Sequence, residues 1–241
     1  MSVPIIDFKS ESVLDEIRKA YTTVGFAVFT NTLTSEDKKT MDNWFKTMKD
    51  FFELPLETKQ KYSYRKENNL GYSVMGAENV DPTAPKDMKE SFNYNNTRMP
   101  DDLWPSSIKG FKETALQSID VADRLTLDIL EKFDTILDSG TTLVDAHIEP
   151  YNTTRVIHYP AMKPTLDRQM RIGEHSDYGT ITLLWQIDSV PGLEVEDLNG
   201  KWHPVPYVWN GVVVNIGDLL QRWTNDYFKS TRHRVENSHC H

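Results

Sequence analysis

Residues 173–184 read GEHSDYGTITLL, and this stretch decides how the second half of the chain is interpreted. It carries His175 two positions before the carboxylate of Asp177. On an extended strand, residues i and i+2 point to the same face, so the imidazole and the carboxylate would approach one point from one side. Gly173 and Gly179 bracket the pair and let neighbouring backbone come close.

A metal site would need a third ligand. Of the seven histidines, His233 is the best candidate, because it lies on a β-type run near the end of the chain. Two histidines and one carboxylate on one face of a metal leave the opposite positions open, which is typical of non-haem Fe(II) oxygenases. Two other uses of these residues remain: a zinc site with bound water, and a structural pair in which Asp177 orients His175.

The residues around this stretch predict a β-rich second half. Short β-type runs, separated by Pro, Gly, Asn and Asp, cover residues 153–159, 171–177, 180–186, 193–196, 202–204, 211–216 and 228–235. Residues 197–200 read DLNG and predict a hairpin turn between two of these runs. Many short strands at such spacing indicate a sandwich or jelly roll rather than a parallel sheet with helical crossovers.

The first half predicts helices packed on that core. Apolar residues recur at helical spacing over residues 11–24, 35–52 and 108–137, and residues 4–8 and 26–30 predict strands. Residues 56–105 are turn-rich and aromatic, as expected of a covering segment. We therefore predict an α+β protein with a mainly β core. The expected divisions are an N-terminal region (1–105), a long support helix and connection (106–150), the jelly-roll core (151–235) and a tail (236–241).

Composition excludes several classes of function. Lys and Arg total 27 against 36 Asp and Glu, a net charge of −9, which argues against nucleic-acid binding and against a polybasic membrane surface. No apolar run approaches the roughly 20 residues that span a bilayer, and residues 1–10 do not read as a signal peptide. A single cysteine excludes an internal disulfide. We expect a cytoplasmic protein.

Several segments, in order along the chain, resemble the 2-oxoglutarate- and Fe(II)-dependent dioxygenases, in particular the branch that includes isopenicillin N synthase. The segments that carry the resemblance are residues 4–8, 25–26, 173–184, 192–195, 202–206, 214–218, 223–226 and 229–235. The resemblance implies a distorted double-stranded β-helix with Fe(II) held by His175, Asp177 and His233. It also implies 2-oxoglutarate as cosubstrate, O₂ as oxidant, ascorbate as a supportive reductant, and hydroxylation or desaturation of a small organic molecule through a ferryl intermediate.

The cosubstrate pocket departs from the family pattern. The family holds the far carboxylate of 2-oxoglutarate with an Arg-x-Ser pattern on the strand after the distal histidine, and residues 236–241 contain no such pattern. We therefore expect a truncated or alternatively ended member. Arg232 and Arg234 flank His233, so alternation points them away from the metal. Tyr159 matches a family tyrosine that contacts the cosubstrate, and Arg155 shares its strand face; an ordinary ion pair is the alternative for that arginine.

The substrate pocket is predicted from the covering segment. We expect Tyr72, Phe92 and Tyr94 to line it, together with Arg171, which shares the face of His175; plain packing is the alternative for the aromatics. Two other functions remain open: an Fe(II)- and O₂-dependent oxidase that does not use 2-oxoglutarate, and an inactive relative that serves as a binding module. Nothing in the sequence predicts the oligomeric state.

Overall fold

The computed structural model describes residues 2–79, 85–149, 152–161 and 169–237. Its helices are α1 (Val13–Thr23), α2 (Ser35–Phe52), α3 (Leu56–Lys59), α4 (Phe111–Leu137), α5 (Thr142–Asp145) and α6 (Asp218–Trp223). Its strands are β1 (Ile5–Asp7), β2 (Phe26–Thr30), β3 (Gly71–Ser73), β4 (Glu90–Tyr94), β5 (Thr154–His158), β6 (Ile172–His175), β7 (Ile181–Leu184), β8 (Leu193–Glu196), β9 (Trp202–Pro204), β10 (Val212–Ile216) and β11 (His233–Val235). Short 3-10 helices cover Gln60–Tyr62 and Asp101–Leu103.

The two longest helices form where the sequence predicts them. Thr34 begins α2 with a capping box: its hydroxyl accepts from the Asp37 backbone N–H at 3.1 Å, and the Asp37 carboxylate accepts from the Thr34 N–H at 3.0 Å. Arg124 of α4 donates to the same carboxylate at 2.6 Å, which ties α2 to α4. Helix α4 ends at Asp138, in the left-handed region with φ of 53°.

The strands form three sheets with orders β1-β2-β10-β7, β6-β11-β8-β9 and β3-β4-β5. Strands β8 and β9 are antiparallel neighbours, so the hairpin predicted at residues 197–200 is confirmed. Strand β2 pairs with β10 in an antiparallel register, so a strand from the first third of the chain belongs to the same sheet as strands of the second half. The predicted α+β architecture with a β core is therefore observed.

Alternation along β2 and β10 divides the sheet they share between two cores. Ala27, Phe29 and Val214 pack against α1 and α4, whereas Val28 and Val213 face β8 of the second sheet. A third, aromatic core lies between α2, α4 and the sheet β3-β4-β5. Asn215 of β10 points to the same side as Val213, toward the second sheet.

Two elements near the end of the chain differ from expectation. The predicted strand over residues 228–235 is a strand only at His233–Val235. Before it the chain turns through Asn225 and Asp226, both with positive φ, and Phe228 is fully buried in the first core. Helix α6 was not predicted, because six residues are too few to show a helical period. Within the described residues, no helix is long and apolar enough to cross a bilayer.

Candidate metal centre

His175 and His233 lie directly opposite each other on neighbouring antiparallel strands. His175 ends β6 and His233 begins β11, and the two Cα atoms are register partners. Opposite residues on paired strands project from the same face, so the two imidazoles come together, with ring centroids 4.2 Å apart. The edge of Phe26 from β2 packs against His233 with centroids 5.2 Å apart and limits the rotation of that ring.

Backbone carbonyls fix the orientation of both imidazoles. Nδ1 of His175 lies 2.8 Å from the carbonyl oxygen of Gly173, and Nδ1 of His233 lies 3.1 Å from that of Thr231. A carbonyl oxygen only accepts hydrogen bonds, so each Nδ1 carries the proton. Each Nε2 therefore presents its lone pair, which is the state that a metal requires of a histidine ligand.

Asp177 supplies the third donor atom. Its Oδ2 accepts from the Thr182 hydroxyl at 2.6 Å and from the Asn215 side-chain amide at 2.8 Å. Its Oδ1 lies 3.8 Å from Nε2 of His175 and 3.7 Å from Nε2 of His233. One carboxylate oxygen is thus held by the protein and the other faces the two imidazoles. The three donor atoms lie within 4.8 Å of one another.

The protonation states of these groups suit a cation. Burial raises the pKa of Asp177, but the imidazoles of His233 and His175 and the hydrogen bonds from Asn215 and Thr182 outweigh it and hold the pKa below its usual value. Burial, and then the neighbouring His175, lower the pKa of His233. The site therefore combines an ionised carboxylate with a neutral imidazole near neutral pH.

Asp218, at the start of α6, braces the segments that carry the ligands. Its carboxylate accepts from the hydroxyls of Ser176, at 3.1 Å, and Ser230, at 2.6 Å. Its backbone N–H donates to the Asp177 carbonyl at 2.7 Å. A Cβ on Gly217 would lie 2.3 Å from the carbonyl oxygen of the residue 179 backbone, so this close approach requires glycine. The sequence does not predict this role of Asp218, because its partners are 42 and 12 residues away.

Asp87, in the segment before β4, also supports strand β6. Oδ1 of the buried Asp87 accepts from the backbone N–H of Gly173 at 3.1 Å, and Gly173 is the residue whose carbonyl orients His175. Nζ of the equally buried Lys89 lies 3.3 Å from Oδ2 of Asp87 and 3.1 Å from Oε2 of Glu78. This buried ion pair was not predicted from the sequence, in which residues 87–90 fall within the turn-rich segment 56–105.

The aromatic residues predicted to line the substrate pocket lie in the aromatic core. Tyr72, Phe92 and Tyr94 are at most 2% exposed. Phe92 packs edge-on against Phe51 of α2 at 5.0 Å, and Tyr94 packs against Trp44 of α2 at the same distance. The structure thus places these rings on the helix-facing side of β3 and β4 and does not bring them together with the metal-ligating side chains.

The two arginines singled out by sequence have different surroundings. Arg155 donates through Nε to Asn93 Oδ1 at 2.9 Å, and its Nη1 lies 3.0 Å from Oε2 of Glu78, so it takes part in the ion pair that was its alternative role. Arg171 immediately precedes β6, and its guanidinium carbon lies 5.4 Å from the ring centre of Tyr159. Burial raises the pKa of Tyr159 well above its usual value, so its phenol stays protonated.

Arg232 and Arg234 project to the opposite face from His233. Both reach Glu174, at 2.7 and 3.3 Å, and Arg232 also contacts Glu196 at 3.1 Å. These guanidiniums form an ion-pair network on the opposite face of the ligand strands, in which Arg232 is exposed and Arg234 is largely covered.

The donor set fits a divalent first-row metal with open coordination positions. In the described part of the chain, His175, Asp177 and His233 are the one group of three converging His, Cys, Asp or Glu side chains. Three donors with fixed orientation, two nitrogen and one oxygen, form the facial arrangement that binds Fe(II) and leaves positions for cosubstrate and oxygen.

The hydrogen bond from Thr182 to the Asp177 carboxylate should contribute to metal affinity, and a substitution tests this. Replacing Thr182 by Val removes one hydrogen bond to Oδ2 at nearly constant volume, and we expect metal affinity to fall by about 10-fold or more, as is usual for outer-shell partners. Isothermal titration with Co(II) measures the loss. Thr135→Val, which removes a hydroxyl bonded only to a helix carbonyl, is the matched control and should bind Co(II) as the wild type does. Equal affinities in all three proteins would contradict this role for Thr182.

A jelly-roll core that brings two histidines and one carboxylate together defines a class of protein, the non-haem iron oxygenases. Comparison with known families agrees: residues 3–111 match the family described as non-haem dioxygenase in morphine synthesis N-terminal, and residues 151–241 match the 2OG-Fe(II) oxygenase superfamily. The chain belongs to the 2-oxoglutarate/Fe(II)-dependent oxygenase superfamily, which confirms the resemblance noted in the sequence.

Individual relatives agree with this assignment. The chain is 34% identical over 249 residues to proline hydroxylase buaE of Petromyces alliaceus, covering 94% of this chain and 75% of the relative. It is 36% identical over 233 residues to the 2-oxoglutarate-dependent dioxygenase htyE of Aspergillus rugulosus, covering 88% of this chain and 70% of the relative.

Solved structures of a third relative, a full-length protein from Neurospora crassa, confirm the predicted jelly-roll fold. Its crystal structure in complex with alpha-KG superimposes with a TM-score of 0.87 at 33% identity, covering 99% of this chain and 80% of the Neurospora protein. Its complex with alpha-KG and thymine gives a TM-score of 0.86 at 32% identity, with 99% and 81% covered.

Proposed function

We propose that this chain is an Fe(II)- and 2-oxoglutarate-dependent dioxygenase that hydroxylates or desaturates a small organic molecule, with the metal held by His175, Asp177 and His233. The observation that carries the proposal is the convergence of two Nε2 lone pairs and one carboxylate oxygen within 4.8 Å. Fe(II) with 2-oxoglutarate and O₂ supplies the oxidising equivalent for a C–H bond, and ascorbate keeps the iron reduced.

The protein contributes orientation and charge. Two neutral imidazoles and one carboxylate leave a ferrous site with a net charge of +1, which favours an anionic cosubstrate. The carbonyls of Gly173 and Thr231 hold the two rings, and Thr182 and Asn215 hold the carboxylate, so the donor atoms do not reorganise when the metal binds.

Tyr159 is the proposed protein contact for the cosubstrate. Its phenol stays protonated and can donate to a carboxylate, and the Arg171 guanidinium beside its ring adds positive charge. Arg171 immediately precedes the strand of His175, which supports a place near the reacting groups. Arg155, the other cosubstrate contact expected from the sequence, is engaged by Asn93 and Glu78.

The substrate is a small molecule. The relatives above include a proline hydroxylase and a Neurospora crassa protein crystallised with thymine, and proline and thymine are both compact polar compounds. The net charge of −9 argues against a nucleic-acid substrate. We further propose a cytoplasmic location and a division in which residues 151–235 form the metal-binding core and residues 1–105 its covering region.

Succinate formation tests the proposal. Purified protein, reconstituted anaerobically with Fe(II) and ascorbate, is mixed with 2-oxoglutarate and O₂ in the presence of a panel of small polar compounds. We expect 2-oxoglutarate-dependent succinate, measured by mass spectrometry, with matching O₂ uptake, and none from Asp177→Ala.

The remaining outcomes each favour another function. O₂ uptake that does not require 2-oxoglutarate would show that the chain is an Fe(II)-dependent oxidase instead. If no succinate forms and an anaerobic titration with Fe(II) and 2-oxoglutarate gives no visible charge-transfer band, the chain is a binding module.

A further inference from the structure

Strand β10 carries a buried amide in an otherwise apolar sequence. Residues 212–216 read VVVNI, the strand lies between β2 and β7, and all five residues are at most 3% exposed. Burying an amide costs free energy unless it is hydrogen-bonded, whereas one more β-branched residue would suit a central strand without that cost. Asn215 donates from its side-chain amide to Oδ2 of Asp177 at 2.8 Å, which indicates a role beyond packing.

The cross-strand neighbours of Asn215 contact the same centre. Asn215 is the register partner of Phe26 on β2 and of Thr182 on β7. Partners on paired strands project from the same face, so these three residues form a row across the sheet, on the side of the second sheet. Phe26 packs against His233, and the other two members of the row donate to Asp177. One row of one sheet thus supports two ligands that the other sheet carries or follows.

The row treats the two carboxylate oxygens of Asp177 differently. An ionised carboxylate only accepts hydrogen bonds, so the atom that Asn215 presents to Oδ2 is its nitrogen. The Thr182 hydroxyl donates to the same oxygen at 2.6 Å. Oδ1 lies instead 3.8 Å from Nε2 of His175 and 3.7 Å from Nε2 of His233. The donors therefore decide which oxygen faces the imidazoles.

The backbone of Asp177 is fixed by a separate contact. Its carbonyl accepts from the backbone N–H of Asp218 at 2.7 Å. The terminal torsion of an aspartate side chain has broad preferences, so a fixed backbone does not by itself determine whether one oxygen or both face the imidazoles. Asn215 and Thr182 restrict this torsion.

We infer that Asn215 is a positioning residue of the metal centre: with Thr182 it holds Oδ2 of Asp177 away from the cation, so that the aspartate offers a single oxygen. Carboxylates bind cations through one oxygen or through both, and a second oxygen would occupy a coordination position that an external oxygen ligand needs. As part of an oxygenase, this role rests on the function proposed above. As a property of the metal centre, it is measurable without turnover.

Water-proton relaxation with Mn(II) tests the inference, because it reports the number of exchangeable waters on the bound ion. Electron paramagnetic resonance measures free Mn(II), so the relaxation is expressed per bound ion. Three protein donor atoms leave about three of six octahedral positions for water, and closing one of them lowers the relaxation by about one third. We expect this fall in Asn215→Val/Thr182→Val and a smaller fall in either single variant. Val213→Ala, on the same strand and face, is the matched control for loosened packing and should give the wild-type value.

The possible outcomes divide clearly. The inference is overturned by a wild-type value in the double variant, by the full fall in Thr182→Val alone, by an equal fall in Val213→Ala, or by a wild-type chain that binds no Mn(II). If the double variant binds no Mn(II), Asn215→Val decides, and Asn215→Leu, which has the branching of the amide, replaces it if the valine variant does not fold. A fall per bound ion in that variant then supports the inference, and the wild-type value overturns it.

The succinate assay separates this role from the proposed function. If the relaxation falls as expected but no succinate forms, the positioning role of Asn215 stands and the oxygenase activity fails. If succinate forms and the relaxation per bound ion does not change in the double variant, the activity stands and the positioning role fails.

Discussion

Asp177→Ala should lose metal affinity by more than about 100-fold, beyond the 10–100-fold range seen when outer-shell partners are removed. Asp177 supplies the one carboxylate oxygen that faces both imidazoles, so its removal leaves two ligands and raises the net charge of the loaded site from +1 to +2. Anaerobic titration with Fe(II), and with Co(II) as a spectroscopic substitute, measures the loss.

Two further variants make this result specific. His233→Ala should show a comparable loss, because it removes a ligand from the neighbouring strand. His203→Ala should bind metal as wild type does, because Nε2 of His203 lies 2.7 Å from the Asp197 carboxylate in the β8–β9 hairpin and takes no part in the converging group. If Asp177→Ala and His203→Ala lose affinity equally, the ligand assignment is wrong.

The second large effect concerns stability. Lys59→Met should lower the free energy of unfolding by about 3–5 kcal/mol, the usual cost of leaving one partner of a buried ion pair alone. Nζ of Lys59 lies 2.7 Å from Oε2 of Glu90, both side chains are at most 8% exposed, and Nζ also donates to the Phe52 carbonyl at 3.0 Å. Burial raises the pKa of Glu90, but hydrogen bonds from His158, Lys59 and Tyr72 outweigh it and lower the pKa to about 2. In Lys59→Met the hydrogen bonds from His158 and Tyr72 remain and still favour the ionised carboxylate.

Urea unfolding followed by tryptophan fluorescence measures this change. The matched control is Lys46→Met, which removes an exposed pair with Asp50 on α2 and should cost no more than about 0.5 kcal/mol. The double variant Lys59→Met/Glu90→Gln should recover part of the loss, since it removes the unpaired charge. A cost for Lys59→Met within the range of the surface control would show that the pair contributes little.

Local patterns explain why much of the fold was predictable. Helix α2 begins at its capping box and carries a clear apolar period, and its predicted and observed bounds agree. The prediction that His175 and Asp177 approach one point also depended only on strand alternation. His233 was chosen because it lies on the one histidine-bearing β-type run near the chain end, and its pairing opposite His175 required the sheet order, which sequence alone does not provide.

The substrate pocket and the supports of the metal centre depend on long-range packing. Residues 89–94 alternate, with Ser91 and Asn93 on one face and Phe92 and Tyr94 on the other, and this pattern already indicates that the aromatic face is core. The pocket was predicted there because the lid of the resembled branch comes from the N-terminal half and this segment is rich in aromatic residues, and that assignment stays a prediction. The braces made by Asp87 and Asp218 could not be predicted, since each joins segments far apart in sequence and a charged residue in a loop carries no signal of its distant partner.

Strand β11 has only three residues and is held between β6 and β8. If it slid by one position, His233 would turn to the outer surface and Arg234 would point at Asp177, because side chains alternate along a strand. Only the observed register of β11 therefore places His233 where it can coordinate a cation. An ion that binds only the correctly aligned form stabilises that form relative to every slipped one. Metal binding therefore also favours the correct register of the second sheet.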